Sequence, residues 1–357
     1  MLLPIVLPTL VVFIISLINF FTILRPNLTS EITEFVSIIV PLRNEAENIS
    51  GLVNSLLSQN SLANVEYLFL NDNSEDETYD LLISALFQHP NAKVIQGSPM
   101  PPGWIGKTWA LQQLLEQSMG EIIVSIDADV RFTPDAINKS ITLMKSRGLD
   151  FLSPYPRQMS HSLSERLIQP ILQWSWMSTL LLGIAEKASF SSMAVANGQF
   201  FIVRKGALLL VGGYESVKAD VLDDVFLARR LMNTGSHGVV VNGASIAECR
   251  MYSSWSEIEA GYGKSLRHAF GSPFGSLCAI FFIFLTGIAP LLFALMGSPW
   301  GWLAFAFIVS TRILSAIRAR TRIIDSLFHP ISSTLLIYLI FYSYLMRGHI
   351  QWKGRTV

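Results

Sequence analysis

The sequence predicts an α/β fold, a mostly parallel, Rossmann-like central sheet flanked by transmembrane helices, and three observations predict it. Short apolar runs rich in β-branched residues alternate with helical patterns from Phe35 to about Phe151, which calls for right-handed βαβ units and a sheet covered on both faces. Apolar stretches long enough to cross a bilayer stand near both ends. Composition agrees: 51% of residues are apolar and 15% charged, and the mean hydropathy is +0.44, too apolar for a purely soluble chain. The formal net charge is zero and no long basic run occurs, so nucleic acid is not an expected partner. Cys249 and Cys278 stand alone; they suggest neither a disulfide framework nor a zinc site and fit a reducing compartment.

Taken in order, Leu2 to Leu24 is nearly unbroken hydrocarbon and is expected to make one crossing, with residues 1–25 as an anchor. Its first basic residue, Arg25, follows the stretch, and the start has neither the positive charge nor the cleavage site of a signal peptide. The positive-inside tendency then puts the next domain, residues 34–272, in the cytoplasm at the inner membrane. Within it Val36–Leu42 reads as a buried strand, Asn44–Ser58 as a helix, Glu66–Leu70 as a strand and the stretch to about Phe87 as a helix. Lys93–Ile95 and Glu121–Val130 are further strands, with a helix at Thr108–Gln117 between them. Beyond Phe151 the alternation stops. Pro170–Ala185, with two tryptophans, is too short for a crossing and reads as an interfacial or acceptor-lining helix, or as a core helix. A strand at NGQFFIVRK, a turn at GGY, a helix at LDDVFLARRLMNTG, two short strands and a helix at Trp255–Ala269 complete the domain.

Residues 276–357 read as a membrane domain of two to three crossings: Leu277–Met296, Trp302–Ile317 and the shorter Ile331–Met346. Arg312, Arg318, Arg320 and Arg322 favour the cytoplasm for the connection between the second and third. If the third segment crosses, the tail with Arg347, Lys353 and Arg355 would lie outside, against the same tendency.

Polar residues cluster where strands end, which is where ligands of such sheets collect. Asp127 and Asp129, one residue apart at a strand end, can address one spot beyond the sheet edge. Two such carboxylates suit a Mg²⁺ or Mn²⁺ ion that keeps its other positions for substrate phosphates; alone, the pair serves equally as a turn or helix cap. Asp72 can accept from a base N–H or ribose hydroxyls, or it can form an Asx turn with Asn73 and Ser74. Asn44 is a good helix cap, and Glu45 can reach the base or ribose. Lys107, in the Pro101–Gln113 stretch rich in proline, glycine and tryptophan, sits near a helix start, where it lacks a favourable partner unless an anionic phosphate is bound. Asp223 and Asp224 open a helix, a favourable place for acids in any protein and also a place for a general base. Arg250, Tyr252, Trp255, Lys264 and Arg267 can clamp a diphosphate or lie at the headgroup level.

In this order VSIIVPLRNEAENI, NDNSEDET, IDADV and LDDVFLARR resemble the motifs of family 2 glycosyltransferases of the GT-A fold, from about Phe35 to Phe270. Within that family GWIGKTWAL, NGQFFIVRKGALLLVGGY, the flanking membrane segments and the WKGR tail look like the enzymes that glycosylate carotenoids and hopanoid-type lipids. The resemblance implies that Asn44, Glu45 and Asp72 contact the nucleoside, and that Asp127 and Asp129 hold the diphosphate and its metal. It also implies that Asp224 is the base, although the family's Glu-Asp pair reads Asp223-Asp224 here. The Q-x-x-R-W signature of processive synthases is replaced by GYGKSLRHAF, which implies transfer of one sugar, with Lys264 and Arg267 taking over the diphosphate contacts. The expectation is a metal-dependent, inverting hexosyltransferase using a nucleotide sugar, a UDP-hexose, on a lipid acceptor, a carotenoid or other isoprenoid. Ceramide, diacylglycerol or polyprenyl phosphate are alternative acceptors, and a non-catalytic nucleotide-binding membrane subunit is the alternative of another class.

Overall fold

A computed structural model describes residues 3–188, 190–346, 351–352 and 355–356. The chain divides into two compact units, Leu24–Arg157 with Ile184–Cys249, and Met1–Ile23 with Gln158–Gly183 and Arg250–Val357.

In the first of these, the strands are β1 (Val36–Leu42), β2 (Val65–Asn71), β3 (Ala92–Gln96), β4 (Ile122–Ile126), β5 (Val130–Phe132), β6 (Phe151–Tyr155), the two-residue β7 (Arg157–Gln158), β8 (Phe200–Arg204), β9 (Gly238–Asn242) and β10 (Ala247–Cys249). Seven form one sheet in the order β3-β2-β1-β4-β8-β6-β9. Pairs β2–β3, β1–β2, β1–β4 and β6–β9 are parallel, and only β8 runs against its neighbours β4 and β6. The mostly parallel sheet expected from the sequence is therefore present. Its central strands read as continuous apolar runs because both faces are covered: Ile38, Ile39, Val40, Ile122, Ile123 and Val124 are fully buried. One core cluster joins Ile39, Leu68 and Ile123 of the sheet to Leu111, Leu114 and Leu115 of the helix Gly106–Gln117 and to Leu227 and Leu231 of the helix Asp223–Asn233.

The expected strand Glu121–Val130 is broken in two. After Ile126 the chain turns, Val130 N–H donating to the Asp127 carbonyl at 3.3 Å, and β5 departs to pair antiparallel with β10, Val130 opposite Cys249.

The second unit is helical. Four of its helices are long and apolar enough to cross a membrane: Pro4–Thr22, Pro273–Leu295, Pro299–Ala319 and Ile323–Leu345. The last is longer than the expected Ile331–Met346, because a 3₁₀ stretch, Ile323–Phe328, leads into the α-helix His329–Leu345. Residues 158–183 and 250–272, which the sequence groups with residues 34–272, share this unit's core. There Trp174, Ile171, Ile258 and Tyr262 pack with Ile308, Leu336 and Ile340. Trp174 is buried and its indole N–H donates to Thr311 Oγ1 at 2.7 Å, so of the two readings of that segment the core helix is the one observed. It spans Leu163–Thr179, followed by a separate helix, Leu182–Ala188. Asn19 shows how a polar residue is tolerated in the first apolar helix: its amide donates to the Met177 carbonyl at 2.8 Å and accepts from Leu182 N–H at 3.1 Å.

Two of the four arginines expected at a cytoplasmic connection are internal instead. Arg318 donates to the Phe20 carbonyl at 2.7 Å and lies over that ring, and Arg312 is 3% exposed. Arg320 and Arg322 are exposed. The tail residues Arg347, Lys353 and Gly354 lie outside the described residues; Gln351–Trp352 pairs with Arg355–Thr356.

Phe151 is fully buried and stacks on Phe201 with ring centroids 5.7 Å apart. Phe151→Ala should destabilise the protein by about 3–5 kcal/mol, read as a lowered thermal unfolding midpoint in detergent.

Candidate functional site

Strands β1, β2 and β4 end at Leu42, Asn71 and Ile126 on the carboxyl edge of the sheet. The antiparallel β8 begins at that same edge, Phe200 lying opposite Ile126. The segments 43–45, 72–76, 127–129 and 197–199 therefore gather at one edge, where open α/β sheets hold ligands.

The β1 and β2 ends are laced together. Asn44 adopts a left-handed φ of 51°, which asparagine tolerates better than most residues. Its side-chain oxygen accepts from Glu75 N–H at 2.8 Å, and its own N–H donates to Ser74 Oγ at 3.0 Å. Asn44 is thus a loop clasp rather than the expected helix cap; Glu45 is the N-cap residue of Ala46–Leu57, without a side-chain cap bond. The Glu45 carboxylate accepts from Asn48 at 2.8 Å. Asp72 is 4% exposed, with its carbonyl taken by Arg43 at 2.8 Å. The Asx turn of this loop belongs to Asn71, whose side chain accepts from Ser74 N–H at 3.3 Å.

At the β4 end, Arg131 braces the turn between the two aspartates: it donates to the carbonyls of Ala128 and Val130 at 2.7 and 2.9 Å and to Asn48 Oδ1 at 2.9 Å. The Asp127 carboxylate forms an ion pair with Lys107 Nζ at 2.6 Å. Lys107 lies in the first turn of Gly106–Gln117. Its place near a helix start needs no phosphate to be explained, since Asp127, Asp223 and Asp224 all act on its charge. Burial disfavours the ammonium, the three carboxylates outweigh it, and the group is held above its ordinary range.

Asp223 and Asp224 open their helix as expected. Asp224 Oδ2 accepts from Gly198 N–H at 2.7 Å and Oδ1 from Val225 N–H at 2.8 Å. Space is tight at Gly198: a Cβ there would stand 3.1 Å from Lys107 Nζ and 3.5 Å from Asp224 Oδ2, so a side chain would press on the lysine head. Lys107, Asp223, Asp224, Gly198, Ser125 and Tyr214 line a recess of about 10 Å³, room for one water. Burial and then the Asp223 charge push the Asp224 carboxyl up to about 6, against the pull of Lys107. Lys264 and Arg267 belong to the other unit, on the helix Trp255–Ala269; Arg267 Nε donates to His268 Nε2 at 2.8 Å. Of the other residues grouped with them, Arg250 pairs with Glu165 at 3.2 Å, and Trp255 stacks on Tyr338 at 6.1 Å.

Among the described residues no three His, Cys, Asp or Glu side chains form a metal-binding group. The Asp127–Asp129 pair nevertheless fits a hard cation. Asp129 Oδ1 is buried with no hydrogen-bond partner, and burial and then the Asp127 charge push this carboxyl up to about 6. A buried anionic oxygen without a donor, beside a second carboxylate, is relieved by a divalent ion that takes its remaining ligands from phosphates.

Sequence reasoning passed over three residues here. The Gly198 amide and Arg131 carry no motif of their own. Cys249, read as isolated, faces Asp129 as a hydrogen-bond donor and accepts from Gln199 Nε2 at 2.9 Å; burial, then the Asp129 charge, keeps it a thiol.

A model described as glycosyl transferase family 2 matches residues 37–209. A 4,4'-diaponeurosporenoate glycosyltransferase of Staphylococcus haemolyticus is 25% identical over 231 residues, 62% of this chain and 58% of the relative. Its counterpart in Staphylococcus aureus is 24% identical over 261 residues, 71% and 66% of the two chains. A beta-monoglucosyldiacylglycerol synthase of Trichormus variabilis is 28% identical over 204 residues, 55% of this chain and 41% of the relative. The matched stretches thus cover less than two thirds, between 41% and 66%, of these relatives' lengths. Among solved structures, the mannosyltransferase PcManGT from Pyrobaculum calidifontis, in complex with GDP-Man and Mn²⁺, aligns over 96% of this chain and 97% of that one. The TM-score is 0.58 at 16% identity, a likeness of fold.

Lys107→Met leaves the carboxylates around it uncompensated. It should lower stability at neutral pH by about 2–3 kcal/mol, less than for a fully buried pair because the lysine side chain is 20% exposed. The loss should shrink as pH falls through about 6, where Asp224 and Asp129 take up protons. In the wild type the same two raised groups bind protons in the folded state before the unfolded chain does. Between the ordinary aspartate value of 3.8 and about 6 they should therefore make stability fall as pH rises. Thermal unfolding of both proteins across pH 4–8 checks both signs.

Proposed function

Because residues 37–209 form a glycosyl transferase family 2 domain of GT-A fold, we propose that the protein moves one hexose from a nucleotide sugar, a UDP-hexose, to a lipid acceptor, a carotenoid or other isoprenoid. The single observation that carries the reading is the recess where Asp224, a carboxyl raised to about 6, stands against Lys107 and its partner Asp127. A carboxyl with a pKa near the working range beside a fixed positive charge supports a role for Asp224 as general base in glycosyl transfer to an oxygen nucleophile.

In this mechanism Asn44, Glu45 and Asp72 bind the nucleoside at the ends of β1 and β2. Asp127 and Asp129 would hold a Mg²⁺ or Mn²⁺ ion, which when bound supplies positive charge to the departing diphosphate. Lys107 would leave its pairing with Asp127 in part to meet a phosphate oxygen. Asp224, oriented by the Gly198 amide, takes the acceptor hydroxyl proton. The acceptor oxygen then bonds to the anomeric carbon as the carbon–oxygen bond to the diphosphate breaks, with inversion. Asp223 sharpens the step by raising the proton affinity of Asp224. Lys264 and Arg267 are proposed as further diphosphate contacts, by resemblance alone. The four apolar helices would make this a multi-pass protein of the inner membrane with its catalytic domain in the cytoplasm. The names of the relatives support a lipid acceptor, and the diacylglycerol enzyme keeps a second reading open, in which the acceptor is a diacylglycerol hydroxyl.

Native membranes incubated with labelled nucleotide sugars and Mn²⁺, followed by mass analysis of extracted lipids, test the proposal. One added hexose per lipid is expected, abolished by chelation; absence of any glycosylated lipid across the donor panel counts against it. Asp224→Asn should slow transfer to an alcohol by about 10²–10⁴-fold and transfer to an already ionised carboxyl acceptor far less. With the alcohol, kcat/KM should fall as pH drops below about 6, since protonated Asp224 cannot accept. Equal losses on both acceptors would remove Asp224 from the role of base.

A further inference from the structure

The helical unit contains a charged cluster that the transfer reaction does not use. Arg312 lies in the helix Pro299–Ala319, seven residues from its last residue and so about 10 Å below that end. It is 3% exposed, its Nη1 has no hydrogen-bond partner, and among the described residues no carboxylate lies within ion-pair distance of it. Asp325 acts on its charge, but that carboxylate is already engaged by both Nε, at 3.0 Å, and Nη2 of Arg166. A guanidinium does not shed its proton to escape burial, and buried charges are paired in native proteins. His329, close enough to feel the Arg312 charge, has a buried Nδ1 without a partner, and so does Ser332 at Oγ. Apart from these two residues, a cavity of about 10 Å³ is walled by Arg312, Ser315, Thr321, Asp325 and the exposed Arg322 just beyond the helix end. With Arg166 paired to Asp325, two positive charges, Arg312 and Arg322, remain at one small opening.

We propose that this cavity takes one anionic oxygen atom, from the phosphate or carboxylate at the head of a membrane lipid whose acyl or isoprenoid chains lie along the apolar helices, the rest of the head staying at the mouth beside Arg322. Arginine meets such a group with a planar fork of donors, and intramembrane ionisable residues mark ligand sites more often than they serve stability. A lone water in the cavity would satisfy Nη1 and leave the charge unmatched. A lipid head brings the missing negative charge, and Arg322 at the mouth meets it first. The inference does not depend on sugar transfer and is read by binding alone.

The test uses the full chain, purified in detergent and stripped of lipid, with native mass spectrometry and thermal unfolding as readouts. Dioleoyl phosphatidylglycerol and oleic acid should bind and raise the unfolding midpoint; dioleoyl phosphatidylcholine should do so at least tenfold less well. Arg312→Gln should lose at least tenfold in phosphatidylglycerol affinity, Arg312→Lys an intermediate amount and Arg322→Gln severalfold. Without lipid, Arg312→Gln should unfold at the same temperature as the wild type or higher, because it removes an unmatched charge; a lower midpoint would make Arg312 a structural residue and overturn the inference. So would equal binding of the two phospholipids, or wild-type affinity in Arg312→Gln. Saturation by inorganic phosphate alone, with no added effect of phosphatidylglycerol, would overturn the lipid as its source. Failure of Arg312→Gln to fold would overturn the inference in the same way as a lower midpoint, and undiminished affinity in both Arg312→Lys and Arg322→Gln refutes the site.

Discussion

The ion pair between Lys107 and Asp127 governs the rest of the sheet edge. Asp127 acts on Asp129 there and Asp223 on Asp224, and burial makes the charges of Asp129 and Asp224 dearer than they are in water. Lys107 answers for one side, paired with Asp127 and felt by Asp223 and Asp224. Asp129 lies on the other side, and it is there that a buried carboxylate oxygen is left without a donor. The fold thus neutralises part of its own acidic edge and leaves a deficit of positive charge at one spot, which is what a metal-bound diphosphate requires of its host.

Much of this was legible in the chain. Val36–Leu42 is found with the bounds its β-branched run suggests, since a strand buried on both faces has no polar residue to blur its ends. The aspartates at 127, 129, 223 and 224 stand out because acids at strand ends and helix starts are few and local. The role of Lys107 was half legible: its helix-start position marked it as unusual, but its partner, Asp127, is 20 residues away and only the sheet brings the two together. Gly198, Arg131 and Cys249 were illegible for a deeper reason. A backbone amide, a bracing guanidinium and a lone thiol have no pattern in sequence; each acquires its part from β8 and β10 arriving beside β4 and β5.

The helical unit shows the same limit in another form. Counting arginines near the end of an apolar segment treats each as a surface charge, yet Arg312 and Arg318 face protein. Their side chains reach partners set by the packing of distant helices, Arg318 finding the carbonyl of Phe20 almost three hundred positions earlier in the chain. Likewise the tryptophans of Leu163–Thr179 suggest a bilayer surface by composition, while Trp174 is spent on an internal hydrogen bond to Thr311.

The reversal of β8 within the sheet has a consequence for how the protein is made. A chain leaving the ribosome completes β1 to β4, and with them Asn44, Asp72, Lys107 and Asp127, well before β8 and the helix of Asp224 emerge. Until then β4 is an open rim with unpaired amides, and the pair Lys107–Asp127 lies uncovered at its tip. The nascent domain therefore passes through a stage in which half of the loops at its carboxyl edge exist without the strand that closes them, a natural point for a chaperone to hold it or for a neighbouring polysome product to add on in error.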